Sequence, residues 1–168
     1  TVEAIATVSG YTTSAVGSAA YTINTSGYPV ADTFSGSGAL SSNWTNTTAK
    51  SGLSYPPVPL VKSSGTVVPN TASSWGLAIY TGTTFTTNQY AQVKFVAHST
   101  AGGGTGPCVA MSVGGTGYCY AADDGKIVAW YTGDWDTGDP VNVTCPIPST
   151  GDTIQLSKSG STLTCSDI

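Results

Sequence analysis

Charge is what this chain has least of. Only 8% of its 168 residues are Asp, Glu, Lys or Arg, against about 25% in an ordinary globular domain. Water must therefore be met by hydroxyls and backbone more than by ions. Lys and Arg total five against nine acids, a net charge of −4, which is the opposite of the basic footprint that nucleic acid or an anionic membrane requires. No apolar run approaches the roughly 18 residues of a membrane span. No signal-peptide pattern opens the chain, so a secreted protein would already have lost its leader. There is a single histidine, His98, a single glutamate, Glu3, and no C-x-x-C spacing. These shortages leave zinc without a ligand set and nucleophilic chemistry without a paired base.

What is abundant points to β structure. Twenty-one glycines, with many Ser, Thr, Val and Tyr, predict short strands joined by tight turns. Strand-like runs occupy Gln89 to Ala97, Pro107 to Val113, Gly117 to Ala121, Lys126 to Tyr131, Thr153 to Ser157 and Ser161 to Cys165, each bounded by Gly, Pro, Asn or Asp. Many short strands at such spacing predict an all-β antiparallel sandwich, and the chain is long enough to fill its core.

Four cysteines, an even number, suit an oxidising compartment. Cys108 and Cys119 fall on two short strands flanking the turn Gly114-Gly115-Thr116-Gly117. Hairpin proximity would pair them and leave Cys145 with Cys165, although four cysteines allow three connectivities.

The first two dozen residues read as a separate hairpin. Val2, Ala4, Ala6 and Val8 alternate with Glu3, Ile5, Thr7 and Ser9, and the run Gly17 to Ile23 sets Ala19, Tyr21 and Ile23 on one face. A lone hairpin is at best marginal in water, because its apolar face and outer N–H and C=O rows lack partners. The wording VEAIATVSGYTTSAVGSAAYTI resembles the end of the chitobiase/β-hexosaminidase C-terminal-type domain, a small immunoglobulin-like sandwich common as a spacer in secreted bacterial proteins. The resemblance implies two final strands whose earlier neighbours are not in the sequence. Either those neighbours belong to a longer chain, or the hairpin adds its strands to another molecule's sheet.

Residues 25–31, with Gly27 and Pro29, read as a linker between this 1–24 segment and a second unit at 32–168. Asp32-Thr33-Phe34, Leu40-Ser41-Ser42-Asn43-Trp44 and Asn88-Gln89-Tyr90-Ala91-Gln92-Val93 resemble bacterial concanavalin A-like (laminin G-like) jelly-roll modules. The resemblance implies a jelly roll with Trp44 and Trp75 packed inside, and further closing strands beyond the hairpin Asp152 to Cys165. A front with strands but no sheet and a sandwich short of strands would complement each other. Head-to-tail strand donation by Val2, Ala4, Ile5, Ala6, Val8, Ala19, Tyr21 and Ile23 into identical subunits would then build an open fibre. A donated strand burying roughly 500 Å² of apolar surface is worth about 12 kcal/mol before ordering costs.

Concanavalin A-like folds also host glucanases, whose paired carboxylates flank the scissile bond about 5 Å apart. With Glu3 alone in the hairpin and the aspartates mostly in turns, an enzyme is not expected. Sugar binding without catalysis is the rival expectation. Trp130, Tyr131, Asp134, Trp135 and Asp136 form the densest cluster of rings and carboxylates, though aromatics in such loops also simply cover the end of a sandwich. Asp134, Asp136 and Asp139 are a weak calcium candidate in residues equally typical of turns; no other cofactor is expected. Asn24, Asn43, Asn46 and Asn142 fit the N-glycan acceptor pattern, which arises by chance in Ser/Thr-rich chains. Tyr55-Pro56-Pro57-Val58-Pro59 reads as an extended surface spacer. The sequence thus predicts a non-catalytic extracellular structural protein, with a carbohydrate-binding module as the alternative.

Overall fold

The computed structural model describes residues 2–4, 17–19, 30–47, 57–72, 74–96, 106–112, 117–121, 125–130 and 140–168. The chain divides into two compact units, Thr1–Ala31 and Asp32–Ile168. Every ladder is antiparallel, and no helix occurs among the described residues.

In the first unit, β1 (Val2–Ala4) pairs with β2 (Gly17–Ala19), Val2 opposite Ala19 and Ala4 opposite Gly17. The described ladder stops at three pairs, and Ile5, Ala6, Val8, Tyr21 and Ile23 lie outside the described residues.

The second unit carries β3 (Ser37–Ala39), β4 (Trp44–Asn46), β5 (Leu60–Ser63), β6 (Thr66–Pro69), β7 (Ala78–Tyr80), β8 (Gln89–Lys94), β9 (Cys108–Val109), β10 (Gly117–Ala121), β11 (Lys126–Trp130), β12 (Pro140–Thr144), β13 (Thr153–Ser159) and β14 (Thr162–Asp167). Strands β9 to β12 form a meander in the order β12-β11-β10-β9, and β14-β13-β8 form a second sheet. The alternation of each strand sends one set of side chains between these sheets. Val109, Tyr120 and Ile127 come from the meander and Ile154 and Leu156 from β13, joined by Phe95 and Cys145, with Ala91, Val93, Val141 and Leu163 packed around them. This is a sandwich core. Nested jelly-roll pairs such as β9 with β12 are not among the described ladders; each of these pairs only with its chain neighbour.

Strand β10 is buried on both faces. Tyr120 points into the sandwich, while Cys119 and Ala121 point the other way, under Trp75, Leu77, Cys108 and Met111. Trp44 and Trp75 are half-buried.

Both disulfides reinforce this frame. Cys108 and Cys119 face each other across the β9–β10 ladder with Cα atoms 4.1 Å apart. Cys145, just past β12, bonds to Cys165 of β14 with Cα atoms 5.6 Å apart, joining one edge of each sheet. Closing loops of this length is worth about 3 kcal/mol each in the chain-entropy account.

The smaller sheets are β3-β5-β6 and β4-β7. The β5–β6 hairpin turns on Ser64 and Gly65, with φ of 51° and 84°, the pair of positive values that a type I′ turn demands and that glycine adopts without strain. Asn46 of β4 joins the two sheets: its Oδ1 accepts from the Leu60 N–H at 2.9 Å and its Nδ2 donates to the Leu60 carbonyl at 3.4 Å.

Three sequence expectations need correction. Among its described residues, the run expected from Pro107 to Val113 is a strand only at Cys108–Val109, because Ala110 takes a φ of 55° and its N–H turns to the Gln89 Oε1 at 2.9 Å. The run from Gln89 to Ala97 ends its ladder at Lys94. Within the expected spacer, Pro57 and Val58 are half-buried and the Val58 N–H donates to the Trp75 carbonyl at 2.8 Å, so this part is tied down.

Tyr120 is fully buried, and among the described residues its hydroxyl has no hydrogen-bond partner. Burial first, and the Asp167 carboxylate second, hold its phenol above the ordinary value of 10.0. The folded chain thus keeps this proton more tightly than the unfolded one. The corresponding stability is intact below about pH 10 and is lost as pH rises through the raised folded value. Tyr120→Phe deletes an unpaired buried polar group, so it is expected to leave stability unchanged or raise it by about 1–3 kcal/mol. Urea titrations should also show a shallower alkaline loss of stability than in the unaltered protein.

Candidate functional site

The densest described cluster of chemically useful side chains lies where β4, β7 and the loop after β7 meet. It begins at Asp32. Its Oδ1 accepts the Phe34 N–H at 2.8 Å and its Oδ2 accepts the Trp44 indole N–H at 2.9 Å. The first bond is an Asx-type turn and holds Phe34 at a φ of 50°, which a bulky residue adopts only when its surroundings enforce it. The second pins the Trp44 ring.

From there a row of rings runs across the surface. Phe34 and Trp44 have centroids 5.6 Å apart, Trp44 and Tyr80 meet edge-on at 5.3 Å, and Tyr80 and Phe85 follow at 6.0 Å. These are the edge-to-face separations that aromatic quadrupoles favour. Tyr80 lies so close over Gly82 that a Cβ there would sit 2.7 Å from the phenol oxygen and 2.9 Å from the Asn43 Cγ. Only glycine leaves room for the ring.

Tyr80 and Phe85 also line an open groove of about 520 Å³. Its other lining includes Thr83, Thr84, Thr86, Thr87 and Gln89, together with the apolar Ile79, Ala110 and Met111. Gln89 is fixed: Nε2 donates to the Thr86 carbonyl at 2.7 Å while Oε1 accepts from Ala110. The charged group at the rim is Lys158, whose ammonium donates to the Gly160 carbonyl.

None of the site residues singled out from sequence is among the described lining of this groove. Trp130 stands on β11 opposite Gly117, while Tyr131, Asp134, Trp135, Asp136 and Asp139 lie outside the described residues, as do His98 and Asn24. Among the described residues no three His, Cys, Asp or Glu side chains gather as a metal group. Glu3 is in β1. Of the other acceptor asparagines, Asn43 is exposed and Asn142 is in β12. Asn46 already spends both ends of its amide on Leu60, and the Thr47 hydroxyl donates to the Leu77 carbonyl at 3.1 Å. Thr48, the hydroxyl residue of that acceptor pattern, lies outside the described residues. Sequence reasoning overlooked Tyr80, Phe85 and the threonines around them. The run Thr81-Gly82-Thr83-Thr84-Phe85-Thr86-Thr87 was a visible signal, a hydroxyl-rich loop around one ring.

With this geometry in view, the chain was compared with protein-family models, curated proteins and solved structures, and none of the three comparisons finds a match.

Asp32→Ala removes both anchors of the aromatic row. Because Asp32 is exposed, the expected cost is about 1 kcal/mol, read as a lower denaturant midpoint. The Trp44 indole N–H resonance should shift toward the position of a water-exposed ring; an unmoved resonance would contradict the anchoring role.

Proposed function

We propose that this chain is a non-catalytic structural subunit of an extracellular fibre or appendage, in which the N-terminal hairpin of one copy adds its strands to an open sheet edge of the next. The observation that carries the reading is that β1 and β2 pair with each other as an antiparallel hairpin inside a unit, Thr1–Ala31, distinct from the unit that holds the sandwich. A two-stranded hairpin gains too little from its own pairing to be stable in water. Edges able to receive it exist. In the described ladders β8 and β14 each pair on one side only, and such rows of N–H and C=O groups template further strands. Joining two different surfaces without ring closure propagates a filament.

Two disulfides fit an oxidising compartment, and no helix among the described residues is long and apolar enough to cross a membrane. The resemblance to an immunoglobulin-like spacer and a concanavalin A-like module belongs to the same proposal, since both are parts of secreted bacterial proteins. A second reading, a carbohydrate-binding module, is favoured by the hydroxyl-lined groove beside Tyr80 and Phe85.

Negative-stain microscopy and size-exclusion chromatography of the full chain test the fibre. Open polymers are expected, and Ala4→Pro, which puts a proline into β1 and removes one donor N–H, should disperse them while the near-UV circular dichroism of the sandwich persists. Monomers from the unaltered chain at every concentration tried would overturn the proposal.

A further inference from the structure

Sugars are amphipathic: one ring face presents C–H groups, and the rim presents hydroxyls that both donate and accept. The groove after β7 matches that pattern. Its lining combines the aromatic Tyr80 and Phe85 and the apolar Ile79, Ala110 and Met111 with Thr83, Thr87 and Gln89, residues whose hydroxyls and amide likewise donate and accept. Its volume of about 520 Å³ falls within the range of small-ligand clefts.

Two of the lining side chains, Gln89 and Tyr80, are positioned before any ligand arrives. Gln89 is held at both ends of its amide. Tyr80 is set by the Trp44 ring and by the missing side chain at Gly82. Such preorganisation lowers the ordering cost of binding.

The charge of the ligand follows from what lines the groove. Among its described lining residues the ionisable side chains are Lys158 and Tyr80, and the lysine ammonium is turned onto the Gly160 carbonyl. Neither a carboxylated nor a sulfated sugar would find a counter-charge here beyond that one engaged ammonium.

We propose that this groove is a binding site for a neutral oligosaccharide segment, with Tyr80 and Phe85 meeting the C–H face of a sugar ring and the threonine hydroxyls and Gln89 meeting its rim. Trp130 is not among its described lining residues, and Tyr131, Asp134, Trp135 and Asp136 lie outside the described residues. It rests on the carbohydrate-binding reading and not on strand donation, since its described lining residues all belong to the unit Asp32–Ile168.

Affinity electrophoresis of the full chain through gels containing barley β-glucan, xyloglucan, galactomannan or hydroxyethyl cellulose provides the test. Retardation by at least one is expected, with about a tenfold loss of affinity in Phe85→Ala and in Thr87→Glu. Thr87 is exposed, so its substitution changes the groove wall without touching the core. Near-UV circular dichroism confirms that both variants fold. Retardation equal in the unaltered chain and both folded variants would place sugar binding elsewhere and end the site while leaving the carbohydrate reading intact. Free migration of the unaltered chain through all four gels would end both.

Discussion

The structure of the second unit depends on one strand being covered from both sides. Tyr120 of β10 faces the sandwich and Cys119 and Ala121 face the Trp75–Leu77 layer. A strand buried on both faces cannot slip by one residue without sending an entire set of side chains to the wrong layer. The Cys108 bridge locks the same strand to β9. From this fixed line the rest is placed: β11 and β12 continue the meander, and the chain past β12 is stapled to β14 through Cys145 and Cys165. On the opposite side, β4 and β7 bring up the aromatic row and the groove.

Scarcity of charge connects the two functional proposals. Proteins commonly blunt sheet edges with lysine, proline or inward-pointing charge. Here β8 has one lysine, Lys94, and β14 one carboxylate, Asp167. Edges so lightly guarded can pair with further strands. The same scarcity fills loops with threonine rather than with ions, and a hydroxyl-lined groove beside aromatic rings is what it leaves at the surface. The proposed polymerisation and the proposed sugar binding thus draw on one composition.

How much was legible depended on where each element's signal resided. Strands β10, β13 and β14 were readable because apolar and polar residues alternate in runs of five or more between clear turns, and β11 because Ile127 to Trp130 is a short continuous apolar run. Strands β3 to β7 were not, since Ser37-Gly38-Ala39 or Trp44-Thr45-Asn46 carries no periodicity at three residues and is held by partners far along the chain. The Cys108–Cys119 pairing was readable from hairpin proximity, and Cys145–Cys165 only as the remainder. The groove was the least legible feature. Ala110, Met111 and Lys158 join Phe85 only through folding, and nothing local marks them. The rings and carboxylates that stand out in the sequence are instead those around Trp135, where they are adjacent along the chain.

Native-state hydrogen exchange of the full chain tests the central claim most directly, because amides whose exposure needs global unfolding exchange last. The amides of Gly117–Ala121 and their partners in Lys126–Trp130 should be the slowest in the protein, with β3, β5 and β6 exchanging through smaller openings. If the β10 amides instead exchange as fast as those of β3, strand β10 is not the line on which the sandwich is built.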